Sequence, residues 1–163
     1  MSRYLPEDQQ RIREIKENKK QYMELLLLAD EQEDMIERYL ERGRMYVLDD
    51  NGIKAECVVT DEGDGILEIK NLAVTPGFQR RGYGRQMIRF LADTYSGRYD
   101  VLQAGTGDSP LTLPFYESCG FQRSHVVKGF FTKYYDHPIY EGGRQLIDMI
   151  YLRKSLTAEK DPE

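Results

Sequence analysis

Residues 79–85 read Gln-Arg-Arg-Gly-Tyr-Gly-Arg, which places three guanidinium groups around two glycines. The apolar run NLAV ends just ahead of Thr75-Pro76-Gly77, and an amphipathic stretch follows from Gly82 to Tyr95. The segment is therefore expected to be a strand, a turn and a helix start. The first turn of a helix has backbone N–H groups without intrahelical partners and a partial positive charge. Gly82 and Gly84 have no β-carbon to keep an anion from the main chain, and Arg80, Arg81 and Arg85 add full charge. A diphosphate suits such a nest of amides. Two common phosphate loops do not fit. GxxxxGK[ST] is absent, and GxGxxG fails because Met87 stands three residues after Gly84. A solvated helix face is the ordinary alternative for the arginines; the strand before and the helix after favour the anion site.

The elements around this segment follow from periodicity and turn residues. Ile12 and Ile15 fit either a helix or a short edge strand. A helix is expected over Gln21–Ala29, then a second over Glu31–Glu41, capped by Asp30 and buried through Met35, Ile36, Tyr39 and Leu40. Met45–Leu48 and Ile53–Thr60 read as a hairpin around Asn51-Gly52, a pair suited to positive φ. DEGDG at 61–65 is a second turn. The strand Ile66–Val74 follows, and its apolar phase moves from odd positions (Leu67, Ile69) to even ones (Leu72, Val74). Either both faces are covered or a bulge shifts the phase. Further expectations are a helix over Gly82–Tyr95, a strand over Tyr99–Ala104, a loop over Gly105–Pro110 and a helix over Leu113–Cys119 closed by Gly120. Two last strands, Phe121–Tyr134 and Gln145–Leu152, flank a loop over Tyr135–Arg144. This order predicts one α/β (α+β) domain over 1–163, with 1–10 and 157–163 peripheral or frayed.

Composition bounds the function. The chain has 163 residues, 40% of them hydrophobic and 31% charged, enough for one core and a wet surface. Mean hydropathy is −0.65, and no run approaches the roughly 20 apolar residues of a membrane span. The polar start MSRYLPEDQQ is unlike a secretory signal, so a cytoplasmic protein off the membrane is expected. Two cysteines and two histidines point to neither a disulfide framework nor a metal site. Net charge is −5, yet residues 69–92 hold five basic side chains (Lys70, Arg80, Arg81, Arg85, Arg89) and no acidic one, leaving −10 elsewhere. An acidic chain with one cationic segment suits a single compact anion better than nucleic acid.

Gln79-x-x-Gly82-x-Gly84, between the strand NLAV and an apolar helix, resembles the [QR]-x-x-G-x-[GA] signature of the GNAT superfamily of N-acetyltransferases. About 30 residues on, PFYESCGF (Pro114–Phe121) resembles the family's second cofactor segment, often FYEK-x-GF. The similarity runs from about Ile12 to Leu156 and makes Ile12–Lys16 a first strand. It implies a mixed, mostly antiparallel sheet flanked by helices, with two parallel strands splayed into a V.

The resemblance also implies a mechanism. Acetyl-coenzyme A (acetyl-CoA) is the implied co-substrate, with its diphosphate on the amides of Arg81 to Arg85 and its pantetheine arm along Leu72, Ala73 and Val74. The Val74 N–H is the implied donor to the thioester carbonyl. Gln79, Arg80, Gly82, Tyr83, Gly84 and Ser109 complete the implied cofactor set; Ser109 and Thr112 replace asparagine and alanine of the usual pattern. Tyr116 matches the usual acid, a phenol that stays protonated at neutral pH beside a departing thiolate. Its alternative is a half-buried core tyrosine. Glu68 occupies a strand position where relatives place a base, against the alternative of an outward carboxylate or a water chain alone. Asp148, Glu117, His125 and His137 are weaker candidates, and Cys119 is expected to be small and buried. The expected acceptor is a small primary amine. Its pocket would draw on the first helices and on Tyr134, Tyr135, Asp136, Tyr140 and Glu141 of the late loop, where aromatics and carboxylates suit an ammonium. Rival readings are a packed loop or homodimer contact there, a protein or peptide acceptor, and a non-catalytic CoA-binding sensor.

Overall fold

Helical and strand segments follow the hydrophobic periodicity over most of the first hundred residues and depart from it near the C-terminal end. The computed structural model describes residues 11–157. The expectation for 1–10 and 157–163 therefore lies, Thr157 apart, outside the described residues. Nine strands are described: β1 (Ile12–Ile15), β2 (Arg44–Asp49), β3 (Ile53–Asp61), β4 (Ile66–Val74), β5 (Val101–Thr106), β6 (Gln122–Val127), β7 (Ile139–Glu141), β8 (Arg144–Leu146) and β9 (Met149–Ser155). Five α-helices join them: α1 (Met23–Ala29), α2 (Glu33–Glu37), α3 (Tyr83–Tyr95), α4 (Leu113–Ser118) and α5 (Phe130–Tyr134). Seven strands form a sheet in the order β1-β2-β3-β4-β5-β9-β6, and β7 pairs with β8. β4 and β5 run parallel, while β1/β2, β2/β3, β5/β9 and β6/β9 run antiparallel. This is the mixed, mostly antiparallel fold expected.

Two hydrogen bonds settle the phase change in β4. Glu62 N–H donates to Ile66 O at the turn, and Thr75 N–H donates to Lys54 O at the far end, at 2.9 and 2.8 Å. Eight residues separate Lys54 from Glu62, but nine separate Ile66 from Thr75. The second segment thus holds one extra residue, a β-bulge.

The chain divides into two compact units, 1–60 with 70–95 and 61–69 with 96–163. In the first, Ile15, Leu26, Ile36, Tyr39, Leu40, Met45, Val47 and Val58 form a core. Lys19 is buried and donates to Leu40 O at 2.9 Å and Gly43 O at 2.7 Å. That ammonium satisfies carbonyls of a turn which replaces the last part of the expected Glu31–Glu41 helix. Asp30 does not cap α2. Its N–H closes α1 on Leu26 O, and its Oδ2 accepts from the Tyr39 hydroxyl at 3.0 Å. α3 buries Met87, Ile88, Phe90, Leu91 and Tyr95. Asn51 and Gly52 carry φ of +54° and +114°, as the hairpin expectation requires.

In the second unit, β5 starts at Val101 rather than Tyr99. It runs through Gly105 to Thr106 because β9 pairs with it from Val101↔Ser155 to Thr106↔Ile150. The expected strand Phe121–Tyr134 is split into β6 and α5. Gly129 adopts φ +66° and donates its N–H to Asp148 Oδ1 at 2.8 Å, while Phe131 N–H reaches Ile147 O. These bonds bend a segment rich in β-branched and aromatic residues into a helical turn. The expected loop 135–144 holds β7 and the first residue of β8, which turn through Gly142-Gly143. Phe131, Ile139 and Leu146 pack as a small core under that hairpin. The last strand consequently begins at Met149, not Gln145.

Candidate active site

In the first unit, the loop after β4 is tied down before it reaches α3. Thr75 Oγ1 donates to Ile53 O at 2.8 Å, and Phe78 N–H turns back to Thr75 O. Gln79 braces the same turn. Its Oε1 accepts from Gly77 N–H at 3.2 Å and its Nε2 donates to Val74 O at 3.3 Å. Arg80 sits at φ +65°, and the Arg81 guanidinium lies 5.1 Å from the Phe78 ring centroid. Gly82 adopts φ +87°, and a β-carbon there would meet nothing within 4 Å. Any larger residue would be strained at this φ and would stand in the open space that a ligand needs.

The first intrahelical bond of α3 runs from Gln86 N–H to Gly82 O. The amides of Gly82, Tyr83 and Gly84 therefore precede the ladder at a 13-residue helix's positive end. Gly82 and Arg85 are exposed and Gly84 is buried. The Tyr83 hydroxyl donates to Asp50 Oδ2 at 2.8 Å, which pushes the phenol up. Open space over a glycine, a helix start and exposed arginines fit a diphosphate.

Beside this loop, β4 carries Leu72 and Val74 half-buried and Ala73 buried. Asn71 Nδ2 donates to Leu26 O and to the Tyr39 hydroxyl, at 3.0 and 3.1 Å. Glu56 of β3 is fully buried, and neither carboxyl oxygen has a hydrogen-bond partner among the described residues. Burial pushes this carboxyl well up, and the nearby Ala73 amide opposes the shift only in part. Sequence reasoning missed Glu56; a lone acid inside IKAECVV was the available signal.

The other expected residues belong to the second unit. Tyr116 on α4 is 8% exposed and packs edge-on against Phe115 and Phe121, at 5.2 and 5.3 Å. Ser109 is fully buried; its Oγ accepts from Leu111 N–H at 3.1 Å and shapes the loop that leads to α4. Glu68 is 5% exposed, and its Oε1 accepts from Gln103 Nε2 at 2.6 Å. Gln103 Oε1 accepts in turn from Arg153 Nε at 2.7 Å. Neither partner was singled out from sequence, because only the strand register brings them together.

Among the weaker candidates, Asp148 holds Gly129 N–H, Glu117 pairs with Arg123 at 3.5 Å, and His125 stacks on Tyr151 at 4.7 Å. His137 pairs with Asp136, and Cys119 is buried as expected. Of the late-loop aromatics, Tyr134 and Tyr135 pack on Phe130 and Phe131, while Tyr140 is exposed. A hollow beside them is lined by Phe131, Tyr135, His137, Ile139 and Leu146. A second, in the first unit, is lined by Tyr22, Glu24, Leu28, Ile53 and Pro76.

Comparison with known proteins agrees with this geometry. Residues 41–123 match the acetyltransferase (GNAT) domain model. The chain is 33% identical to the uncharacterized N-acetyltransferase YvbK of Bacillus subtilis (strain 168) over 132 residues, 79% of this chain and 85% of the relative. It superposes on a GNAT family acetyltransferase from Elizabethkingia anophelis solved with acetyl-CoA bound, with TM-score 0.83 and 33% identity, covering 88% and 96% of the two chains. An IAA acetyltransferase from Bacillus cereus ATCC 14579 gives TM-score 0.81 and 34% identity, covering 88% and 97%. A mixed sheet with a parallel β4/β5 pair agrees with these matches, and the chain belongs to the GNAT family of N-acetyltransferases.

Proposed function

We propose that the chain moves an acetyl group from acetyl-CoA to the primary amine of a small acceptor by direct attack while both substrates are bound. The observation that carries this reading is the open space over Gly82 at the start of α3. The amides from Arg81 to Arg85 would hold the diphosphate, with Arg80, Arg81 and Arg85 supplying charge and Gln79 keeping the loop in shape. The edge of Leu72, Ala73 and Val74 would pair with the pantetheine arm. There the Val74 N–H would donate to the carbonyl oxygen as negative charge develops on it. The parallel register of β4 and β5 runs from Ile66↔Val101 to Ile69↔Ala104, while β4 continues to Val74.

Acetyl-CoA supplies an activated acyl group with a thiolate leaving group. Tyr116 would give that thiolate a proton from the phenol hydroxyl. Glu68 would take the proton of the attacking ammonium, directly or through water. Ser109 acts through the shape of its loop. The hollow at Tyr22, Glu24 and Leu28 and the one at Tyr135 and His137 both offer apolar walls with polar rims, which supports a small amine acceptor.

Titration calorimetry with CoA tests the donor site. Wild type should bind, and Gly82→Asp should weaken binding at least about 100-fold through repulsion and steric block. Equal heats from both would end the diphosphate assignment. Thiol release from acetyl-CoA across a panel of amines, amino acids and peptides tests turnover. Binding without release for any acceptor would favour a sensor, and release only with peptides would move the acceptor class. In Tyr116→Phe, kcat should fall about 100-fold; an unchanged rate removes the acid.

A further inference from the structure

The strand register places Glu68 of β4 beside Gln103 of β5, and Gln103 beside Arg153 of β9. Residues in register on adjacent strands share a face, so the three side chains form one row across the sheet. The printed bonds run along it: Arg153 Nε to Gln103 Oε1 at 2.7 Å, then Gln103 Nε2 to Glu68 Oε1 at 2.6 Å. Glu68 and Gln103 are buried, at 5% and 6% exposed.

An amide side chain can be turned either way, and here chemistry fixes the choice. Arginine has only donors, so the Gln103 oxygen must face Arg153. The planar amide then turns its NH₂ to Glu68, which must act as an acceptor. A guanidinium stays charged across the working pH range and polarises the amide it binds. The short contacts are those of charge-assisted bonds. The row thus fixes the direction of the Glu68 carboxyl plane.

We propose that Gln103 and Arg153 are positioning residues that hold Glu68 in the orientation in which it takes a proton from the acceptor ammonium. The proposal rests on the reading of Glu68 as the base. Tyr151 and Arg153 on β9 and Glu62 before β4 are titratable or charged groups near the row. The Tyr151 phenol is pushed up to about 12, first by burial and then by Glu68 and Glu62. Buried apolar side chains would make as good a sheet, so packing alone gives no reason for a Glu-Gln-Arg row.

The experiment measures kcat and KM against pH for Arg153→Met, Gln103→Leu and Arg153→Lys, using the best amine from the panel. It also follows the Gln103 side-chain NH₂ signals by nitrogen-15 NMR. In Arg153→Met and Gln103→Leu, kcat at pH 7 should fall at least about 10-fold. KM for acetyl-CoA should stay within twofold of wild type, so that the loss falls on kcat alone. Arg153→Lys should recover most of the rate, since it restores charge and a donor. In Arg153→Met the Gln103 NH₂ protons should lose their protection from exchange. If Arg153→Met fails to fold, Gln103→Asn, too short to span both partners, carries the same expectation.

Glu68→Gln separates the two readings. Lost activity in Glu68→Gln, with wild-type kcat in Arg153→Met and Gln103→Leu, overturns the positioning proposal and leaves the base in place. A fully active Glu68→Gln enzyme overturns the base and, with it, the catalytic purpose of the row.

Discussion

A carboxyl group short of donors is an expensive thing to bury, and Glu56 is fully buried with neither oxygen in a full hydrogen bond among the described residues. Only the Ala73 amide relieves it, and in part. The Tyr39 hydroxyl already donates to Asp30, Cys57 next in the chain is itself pushed up by burial, and Asn71 Oδ1 is another buried acceptor without a partner among the described residues. The consequence is a Glu56 carboxyl held well above the usual carboxylate range by burial. A carboxyl whose folded pKa is raised keeps a proton that the unfolded chain releases. Its contribution to stability is fully present below the unfolded value near 4.3 and is lost as pH rises through the folded value. Glu56→Gln is the isosteric neutral form and can donate to a nearby acceptor. It should therefore be more stable than wild type at pH 7, by roughly 1–3 kcal/mol, with the gap closing near pH 4. Urea unfolding at both pH values checks this; equal stability at pH 7 would mean that Glu56 finds a partner in solution. The residue scale thus separates two acids on neighbouring strands. Glu68 has a donor row that fixes its orientation, and Glu56 has an environment that disfavours its charge.

The element scale shows where local pattern and tertiary bonding part company. β4 was legible to its end residues, Ile66 and Val74, and its phase change correctly offered a bulge as one of two explanations. The turn-to-helix passage was legible because Gly82 and the stripe Met87, Ile88, Leu91 and Tyr95 carry local signals. α5 was not. VVKGFFTKYY reads as strand by composition, and what turns it is Asp148, nineteen residues away, holding Gly129 N–H. The β7–β8 hairpin was hidden for a similar reason: its apolar anchors Ile139 and Leu146 are single residues that gain meaning only beside Phe131. The candidate site divides along the same line. Tyr116 and the Gln79–Arg85 loop are motif residues, while Gln103 and Arg153 emerge only from pairing register. If Asp148 is the cap that bends this segment, Asp148→Ala should cost about 1–2 kcal/mol and loosen the hairpin over α5. Hydrogen exchange should then speed up at Phe131 N–H, which bonds Ile147 O, while the amides of α3 keep wild-type protection. Unchanged exchange at Phe131 would show that the aromatic core alone sets α5.

At the scale of the whole molecule the question is how an acidic protein binds a polyanion at all. The net charge is −5, yet residues 69–92 contain five basic side chains and no acidic one. Arg80, Arg81 and Arg85 flank the α3 start in the chain, and they and Arg89 are exposed. Two fields therefore act on an approaching CoA: long-range repulsion from the net charge and short-range attraction from the arginine segment. The Debye length, ~10 Å at 0.1 M salt, decides between them. At physiological ionic strength the distant acids are screened more than guanidinium groups in contact with phosphate. The local attraction should thus dominate, and affinity for CoA should fall as salt rises from 0.1 to 0.5 M. Arg81→Gln with Arg85→Gln should flatten that dependence and weaken binding about 10-fold or more, leaving thermal stability within a few degrees because both side chains are exposed. Calorimetry at three salt concentrations measures the slope. An affinity that rises with salt would mean that the net negative field governs the encounter, and the arginine segment would then be a solvated helix face rather than the grip on the diphosphate.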